Sequence, residues 1–299
     1  MQDKSLVTII CLCYNQEKYV VESLFSAIHQ DYPFIEVIVV DDFSTDNSKE
    51  TIQKWLVDHP EIQFIANETN LGSTKSFNKA LKLAKGEYII DLACDDILLP
   101  NCVSLQLKAF EVSPLKNLGV VYGNAELINE KGDFYFYYFP VYSHKKTIEK
   151  RATGDIYLSV ISGGNSICSV SSMVKKSVFD ALNGYDENLA YEDLDLWIRA
   201  SRVYDFDYID EILIKKRIST TSLGTHFFIK NDARSKRINY STYLIIQKAI
   251  ALNCSKIEHK AILKRMHFEM ILAFKTSNYK LFFKYLVLEI KQRFRIIFA

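Results

Sequence analysis

No two of the six cysteines form a Cys-x-x-Cys pair; Cys11, Cys13, Cys94, Cys102, Cys168 and Cys254 are scattered, mostly in apolar runs. That spacing argues against a disulfide frame and fits reduced, buried thiols of a cytosolic protein. No run approaches the ~20 apolar residues needed to cross a bilayer. The first apolar stretch, LVTIICLC, is short and is interrupted by Tyr14-Asn15-Gln16-Glu17-Lys18, so it reads as a strand and not as a signal peptide. A Gly-x-Gly-x-x-Gly turn is missing after it, which disfavours an ordinary dinucleotide fold. The six histidines show no metal-ligand spacing, and there is no internal repeat or low-complexity tract. With 48% hydrophobic residues, a disordered or fibrous chain is excluded.

What the sequence does contain is length and a charge asymmetry. The 299 residues suffice for one large or two modest domains with a real core. The formal net charge of +1 conceals a split, because residues 226–299 hold 15 Lys+Arg against 4 Asp+Glu. The remainder then carries 22 of the 37 basic and 32 of the 36 acidic residues. Such a division points to different partners for the two parts and puts a boundary near residue 225. Residues 1–225 form one expected domain and 226–299 a basic helical segment.

Across the first hundred residues, strand and helix patterns alternate. Leu6 to Cys13, Phe34 to Val40, Ile62 to Ala66 and Glu87 to Leu92 read as strands. Between them, Glu17 to Gln30, a stretch carrying Ile52, Trp55 and Leu56, and Ser73 to Lys85 have helical periodicity. This predicts βαβ units, a Rossmann-like, mostly parallel α/β sheet. Further on, Leu98 to Phe110 reads as a helix and Gly119 to Asn129 as a strand. Lys131-Gly132-Asp133 then turns into the aromatic run Phe134 to Phe139, predicting a small antiparallel addition and a mobile segment through Arg151. A strand at Ser171 to Val174, a short helix stopped by Asn183-Gly184, a helix Glu192 to Arg202 and a strand within Phe206 to Ile218 complete the pattern.

Acidic residues stand just beyond these apolar runs, in VIVVDDFS, YIIDLACDD and YEDLDLWIR. Strand ends are where open α/β sheets bind ligands, and grouped carboxylates there point to a divalent cation with its anionic ligand. Each group also has a purely structural explanation. Asp41-Asp42 before Ser44-Thr45-Asp46 is what a capped helix entry looks like. Asp95-Asp96 can be a charged turn, although adjacent carboxylates repel unless solvated or neutralised. Glu192-Asp193 suits any helix N-terminus. Asp195 has a local partner in Arg199, four residues on, whereas Asp193 has none.

Taken in order, VTIICLCYN, QDYPFIEVIVVDDFSTDNS, NETNLGSTKSFNKALKLAKGEYIIDLACDDILLP and NGYDENLAYEDLDLWIRA resemble the family-two glycosyltransferases with a GT-A type fold. A looser match follows at LIKKRISTTS. The resemblance implies a nucleotide-sugar-dependent, inverting enzyme with Mn²⁺ or Mg²⁺ as cofactor. It implies that Tyr14 packs near the nucleotide base and Asp41 hydrogen-bonds it. Asp95 would touch the ribose or sugar, Asp96 would coordinate the metal on the diphosphate, and Asp193 would be the general base. Lys75 would supply a positive charge that the family pattern places near Phe77. The implied donor is UDP-linked and the acceptor a glycan or lipid-linked glycan, at the cytoplasmic face of the membrane. The chain departs from the pattern at Leu12-Cys13, where Pro-Thr is common, and at Ala93-Cys94-Asp95-Asp96, where Asp-Ala-Asp-Asp is common. Donor choice would depend on the surroundings of Asp95 and on Gly163 to Ser172.

Two alternatives of other kinds remain at the level of sequence. A sugar-1-phosphate nucleotidyltransferase needs a glycine-rich basic loop after the first strand, and Cys11 to Lys18 contains no glycine. A catalytically silent sugar-nucleotide or glycan-binding protein would share every motif but not turn over. His226 is either a surface histidine at a domain junction or a group that reaches a diphosphate-bound metal. Residues 279–298 mix aromatic and aliphatic residues with five lysines and arginines. This pattern fits an anionic membrane surface, or a helical bundle packing on the catalytic domain or on a second subunit of a homo-oligomer. Nucleic acid is not an expected partner, since no recognition motif accompanies the charge.

Overall fold

The computed structural model describes residues 5–163, 167–219 and 223–298. Its strands are β1 Val7–Cys13, β2 Ile35–Asp41, β3 Gln63–Ala66, β4 Tyr88–Ala93, β5 Ile97–Leu98, β6 Leu118–Ile128, β7 Phe134–Tyr137, β8 Ser172–Lys175 and β9 Asp205–Arg217. The helices of the sheet region are α1 Val20–Ile28, α2 Ser48–Trp55, α3 Ser73–Leu81, α4 Cys102–Val112, α5 Tyr157–Ser162, α6 Lys176–Leu182 and α7 Asp193–Ser201. Beyond them come α8 Leu223–His226, α9 Ala233–Leu252, α10 Lys256–Lys275 and α11 Tyr279–Phe298.

One sheet runs in the order β3-β2-β1-β4-β8-β6-β9-β5, with β7 paired to the end of β6 on the same side as β8. β1 to β4 are mutually parallel neighbours, and β8 is antiparallel to both β4 and β6. β6 and β9, themselves a parallel pair, therefore point the same way as β1–β4, and only β5, β7 and β8 oppose them. The predicted mostly parallel sheet with a small antiparallel addition is what forms. β1 and β2 are apolar on both faces because helices cover both; Ile9, Ile10, Val39 and Val40 are fully buried. α1 turns Val20, Leu24 and Ala27 inward, and α3 turns Phe77, Ala80 and Leu81. α6 stops at Asn183, in the left-handed conformation (φ 57°), and Gly184 N–H donates to Phe179 O (2.8 Å), the helix stop expected there.

Four details differ from the sequence pattern. Ile97–Leu98 is a two-residue strand on β9, and the helix starts only at Cys102, since Pro100 bars the residue before it from helical geometry. α5 shows no amphipathic signal because it is one short turn-and-a-half, with Tyr157, Val160 and Ile161 buried. Phe134, Tyr135 and Phe136 are all exposed, so this strand lacks the buried and exposed faces that alternation implies; it has a neighbour on one side only. The segment expected to be mobile is a hairpin with a Val141–Thr147 bridge, held to β9 by Lys146 Nζ donating to Asp210 O (2.7 Å). Residues 164–166 of the stretch Gly163 to Ser172, and the Thr220-Thr221-Ser222 end of the tail match, lie outside the described residues.

α9 is capped by Asp232, which accepts from Ser235 N–H (2.6 Å), and α10 opens on a Ser255/Glu258 capping box. Both dock on the sheet region through polar contacts. Ala190 N–H donates to Ser241 Oγ, Tyr157 Oη to Asn253 Oδ1, and Arg202 pairs with Glu258 at 2.7 Å. Lys248 bonds Asp195 (2.7 Å) and Asp186. Asp195 also takes its expected partner, Arg199 Nε, at 2.7 Å. Of the cysteines only Cys254 is exposed, and all six are free. Among the described residues no helix is long and apolar enough to cross a membrane.

Candidate active site

The register of the parallel strands decides which side chains meet. Cys13 pairs with Asp41, and Leu12 pairs with Ala93, so β2, β1 and β4 end side by side. Asp41, Tyr14 and the Asp95-Asp96 pair thus leave the same edge of the sheet from neighbouring strands.

Asp41 is fully buried. Its Oδ2 accepts from Ser44 N–H at 3.2 Å, which is the turn-stabilising role open to such a residue. Its Oδ1 is buried too, and has no hydrogen-bond partner. A buried carboxylate oxygen without a donor costs free energy. Asp42 contrasts with it: Leu71 N–H, Gly72 N–H, Ser76 Oγ–H and Asn67 Nδ2–H all donate to its carboxylate at 2.8–2.9 Å. Asp42 is therefore structural and pins the loop that enters α3. Asn47 holds the N-cap position of α2 without a side-chain capping bond, while Asp46 accepts from the N–H groups of Ser48, the first helical residue, and Glu17. Asn15 (φ 56°) locks the β1 and β2 loops together by donating N–H to Ser44 Oγ and accepting from Thr45 N–H. Tyr14, the residue before Asn15, is 46% exposed.

Asp95 and Asp96 are fixed by β5, whose pairing with β9 brings the end of β9 against them. Arg217 N–H donates to Asp96 Oδ1 (2.8 Å), and Arg217 Nε donates to Asp95 O (3.0 Å). The same guanidinium reaches Asn129 O at 3.1 Å and Glu22 Oε2 at 3.0 Å, and lies 4.2 Å from the Tyr19 ring centre. Burial, then the neighbouring Asp95 charge, pushes the Asp96 carboxyl up to about 8. Asp95 is raised as well, by burial, against the pull of Lys216, Arg217 and a hydrogen bond from Gln16. Arg217 was visible in the sequence only as one residue within LIKKRISTTS. Its signal is three cations in succession at the end of a strand facing an acidic pair.

Asp193 is the first residue of α7. Leu194 N–H donates to its Oδ1 (2.6 Å) and Ser169 Oγ–H to its Oδ2 (3.0 Å), with Trp197 Nε1–H donating to Ser169 Oγ at 2.9 Å. Ser169 directly follows Cys168, whose thiol feels both Lys216 and Asp96. The 168–169 segment thus runs between the Asp96 and Asp193 positions. Next to Asp193, Glu192 accepts from Ser73 Oγ–H (2.9 Å), tying α7 to the start of α3. Burial, then the charges of Asp193 and Asp91, pushes Glu192 up to about 8, and burial pushes Asp91 up to about 7 although Tyr185 Oη–H donates to it. Neither Ser169 nor Asp91 was singled out from sequence, since a serine in a loop and one more acid in YIID carry no distinctive spacing.

Lys75 projects from the first turn of α3 and is exposed. His226 sits at the junction before α9, where Arg234 Nη1 lies 3.2 Å from its Nε2 and its buried Nδ1 has no partner. Among the described residues no three His, Cys, Asp or Glu side chains are grouped as a metal cage. The Asp95-Asp96 pair nevertheless suits a hard cation. Mg²⁺ and its like take one or two carboxylates and complete their shell with phosphate oxygens and water. An Asp96 that resists ionisation alone is a group that a cation would stabilise.

A mixed, mostly parallel sheet with carboxylates at the ends of its parallel strands is the architecture of the GT-A class of glycosyltransferases. The family model "Glycosyl transferase family 2" matches residues 8–175, more than half of the chain. The chain belongs to that family. It is 35% identical over 222 residues to a glycosyltransferase of Methanocaldococcus jannaschii, covering 72% of each chain. It is 27% identical over 270 residues to chondroitin synthase of Escherichia coli, covering 85% of this chain but 37% of that one. Among solved structures, S. aureus TarS 1–349 in complex with UDP-GlcNAc superposes with a TM-score of 0.69 at 19% identity, over 96% of this chain and 81% of that one. The mannosyltransferase PcManGT from Pyrobaculum calidifontis, in complex with GDP-Man and Mn²⁺, gives 0.58 at 17% identity, over 99% and 86%. At these identities the structural likeness speaks to fold.

Proposed function

We propose that this glycosyltransferase moves a sugar from a UDP-linked donor to a hydroxyl of a glycan or lipid-linked glycan, with inversion, in polysaccharide assembly at the inner face of the cell membrane. The observation that carries the donor assignment is the partnerless Asp41 Oδ1. Uracil offers one ring N–H between two carbonyls. Guanine offers a pair of donors suited to both oxygens of a carboxylate, whereas at Asp41 one oxygen is open and the other already accepts from Ser44 N–H. Tyr14, with its exposed ring, would pack on the base.

Asp95 contacts the ribose or sugar in this scheme, and Asp96 with Asp95 would hold Mn²⁺ or Mg²⁺. When bound, the cation offsets the negative charge that builds on the departing diphosphate. Lys75 adds an exposed positive charge near the phosphates. Asp193 takes the proton from the acceptor hydroxyl as that oxygen attacks the anomeric carbon, opposite the leaving diphosphate. Ser169 and Leu194 N–H orient its carboxylate for this. Glu192, still largely protonated at neutral pH, adds little charge beside it.

A thermal-shift panel of nucleoside-diphosphate sugars with Mn²⁺ tests the proposal, since a bound ligand raises apparent stability by mass action. UDP-sugars should raise Tm and GDP-sugars should not. A response confined to GDP-sugars would overturn the donor, and no response to any would overturn the site.

A further inference from the structure

We infer that the outer face of α11 is a docking surface for an anionic lipid bilayer. This goes beyond the transferase chemistry and does not depend on it. Tyr279, Phe283, Val287, Ile290, Phe294 and Ile297 are each 45–68% exposed. Their spacing of three and four residues aligns them in a single stripe, roughly 27 Å long at 1.5 Å per residue. The opposite face holds the helix to the protein through the buried Leu281, Tyr285 and Gln292. Lys280, Lys284, Lys291 and Arg295 occupy the sector between, beside the stripe. At the α10–α11 turn the apolar surface continues across the hairpin, with the exposed Phe274 ring 5.9 Å from Tyr279 and 5.7 Å from Phe282.

Next to the lysine row lies a groove of about 300 Å³ lined by Lys236, Tyr240, Asn278, Lys280, Leu281 and Lys284. Three ammonium groups and no carboxylate line it, a composition suited to the phosphate of a lipid headgroup. Charge separates this occupant from a second copy of the chain. Pairing two α11 stripes would set one cationic row near another. The helix's single acid, Glu289, is buried and bonded to Arg293, so it offers no compensation. Anionic headgroups supply the missing charge, and the stripe supplies apolar area to enter the acyl boundary.

Co-sedimentation of the full chain with vesicles of phosphatidylcholine, alone or mixed with phosphatidylglycerol, tests this. Expected is pelleting with the anionic vesicles only. Replacing both Lys280 and Lys284 by glutamine should weaken it roughly 25-fold, at about fivefold per cation near the surface. The double substitution Phe283→Ser and Phe294→Ser should weaken it at least about tenfold. Lys280, Phe283 and Phe294 are exposed and Lys284 is half-buried against Tyr240, and unchanged circular dichroism confirms the fold of both variants. Pelleting equally with neutral vesicles, with neither, or without loss in the variants would overturn the inference. So would light scattering that finds a dimer dissociated by the phenylalanine substitutions while vesicles leave the chain in solution.

Discussion

Carboxylates serve opposite ends in the two parts of this molecule. In the C-terminal helices all four acids are engaged: Asp232 caps α9, Glu258 pairs with Arg202, Glu269 with Arg265 and Glu289 with Arg293. Burial raises Glu269, and Glu289 Oε2 lacks a donor, but each of these two has an arginine bonded to it. At the sheet edge, by contrast, Asp91, Asp96 and Glu192 are pushed up to about 7, 8 and 8 with no ion pair to any of them among the described residues. Acids that hold a structure together are matched with cations from within it. Acids that are costly to ionise where they stand are candidates for a site that takes a cation or ligand.

The sharpest test of that contrast is Asp193→Asn, which should cut turnover by ~10²–10⁴-fold while leaving UDP affinity within about twofold. Donor consumption and calorimetry read the two quantities separately, and retained turnover would remove Asp193 from the role of base. Arg217→Ala should cost about 2–4 kcal/mol of stability in urea titration, because it releases carbonyls at Asp95 and Asn129 and frees Glu22. A loss below about 0.5 kcal/mol would mean that β9 does not brace the acidic pair.

The pH responses should run in opposite directions. Raised carboxyls bind protons more tightly in the folded state than in the unfolded one. Their contribution is therefore full below the ordinary carboxylate range and fades as pH rises through about 7–8. Asp96→Asn should consequently stabilise the metal-free protein at pH 8 by about 1–2 kcal/mol, roughly 2–8 °C in Tm, and change little at pH 5. Glu258 behaves the other way. Burial works upward on it, but Arg202 and the backbone N–H groups of Cys254 and Ser255 outweigh that and hold it low. Its contribution is present above the ordinary glutamate range and fades only as pH falls below it. Glu258→Gln should therefore cost about 1 kcal/mol at pH 7 and nothing near pH 3. Melting curves at these pH values check both, and equal slopes would erase the distinction.

Much of the sheet was legible in sequence because β1, β2 and β4 are continuous apolar runs closed by polar loops, a local signal. The acids at their ends were legible for the same reason. Their division of labour was not: Asp41 and Asp42 are adjacent and alike, yet one is saturated by the loop at Asn67 to Ser76 and the other is left open. That depends on residues 25 to 34 positions away. Arg217, 121 residues beyond Asp96, was hidden by the same kind of distance. The face of α11 turned to solvent was also beyond sequence, since apolar residues occur all round that helix and only packing decides which are covered.

A crystal structure of the chain with UDP and Mn²⁺ bears most directly on the sheet edge. Expected is uracil N–H on Asp41 Oδ1 and the metal about 2.0–2.2 Å from an Asp96 oxygen, with the Asp193 carboxylate on the acceptor side of the sugar. A nucleotide bound elsewhere, or one whose diphosphate meets only Lys216 and Arg217 with no metal on Asp96, would contradict it.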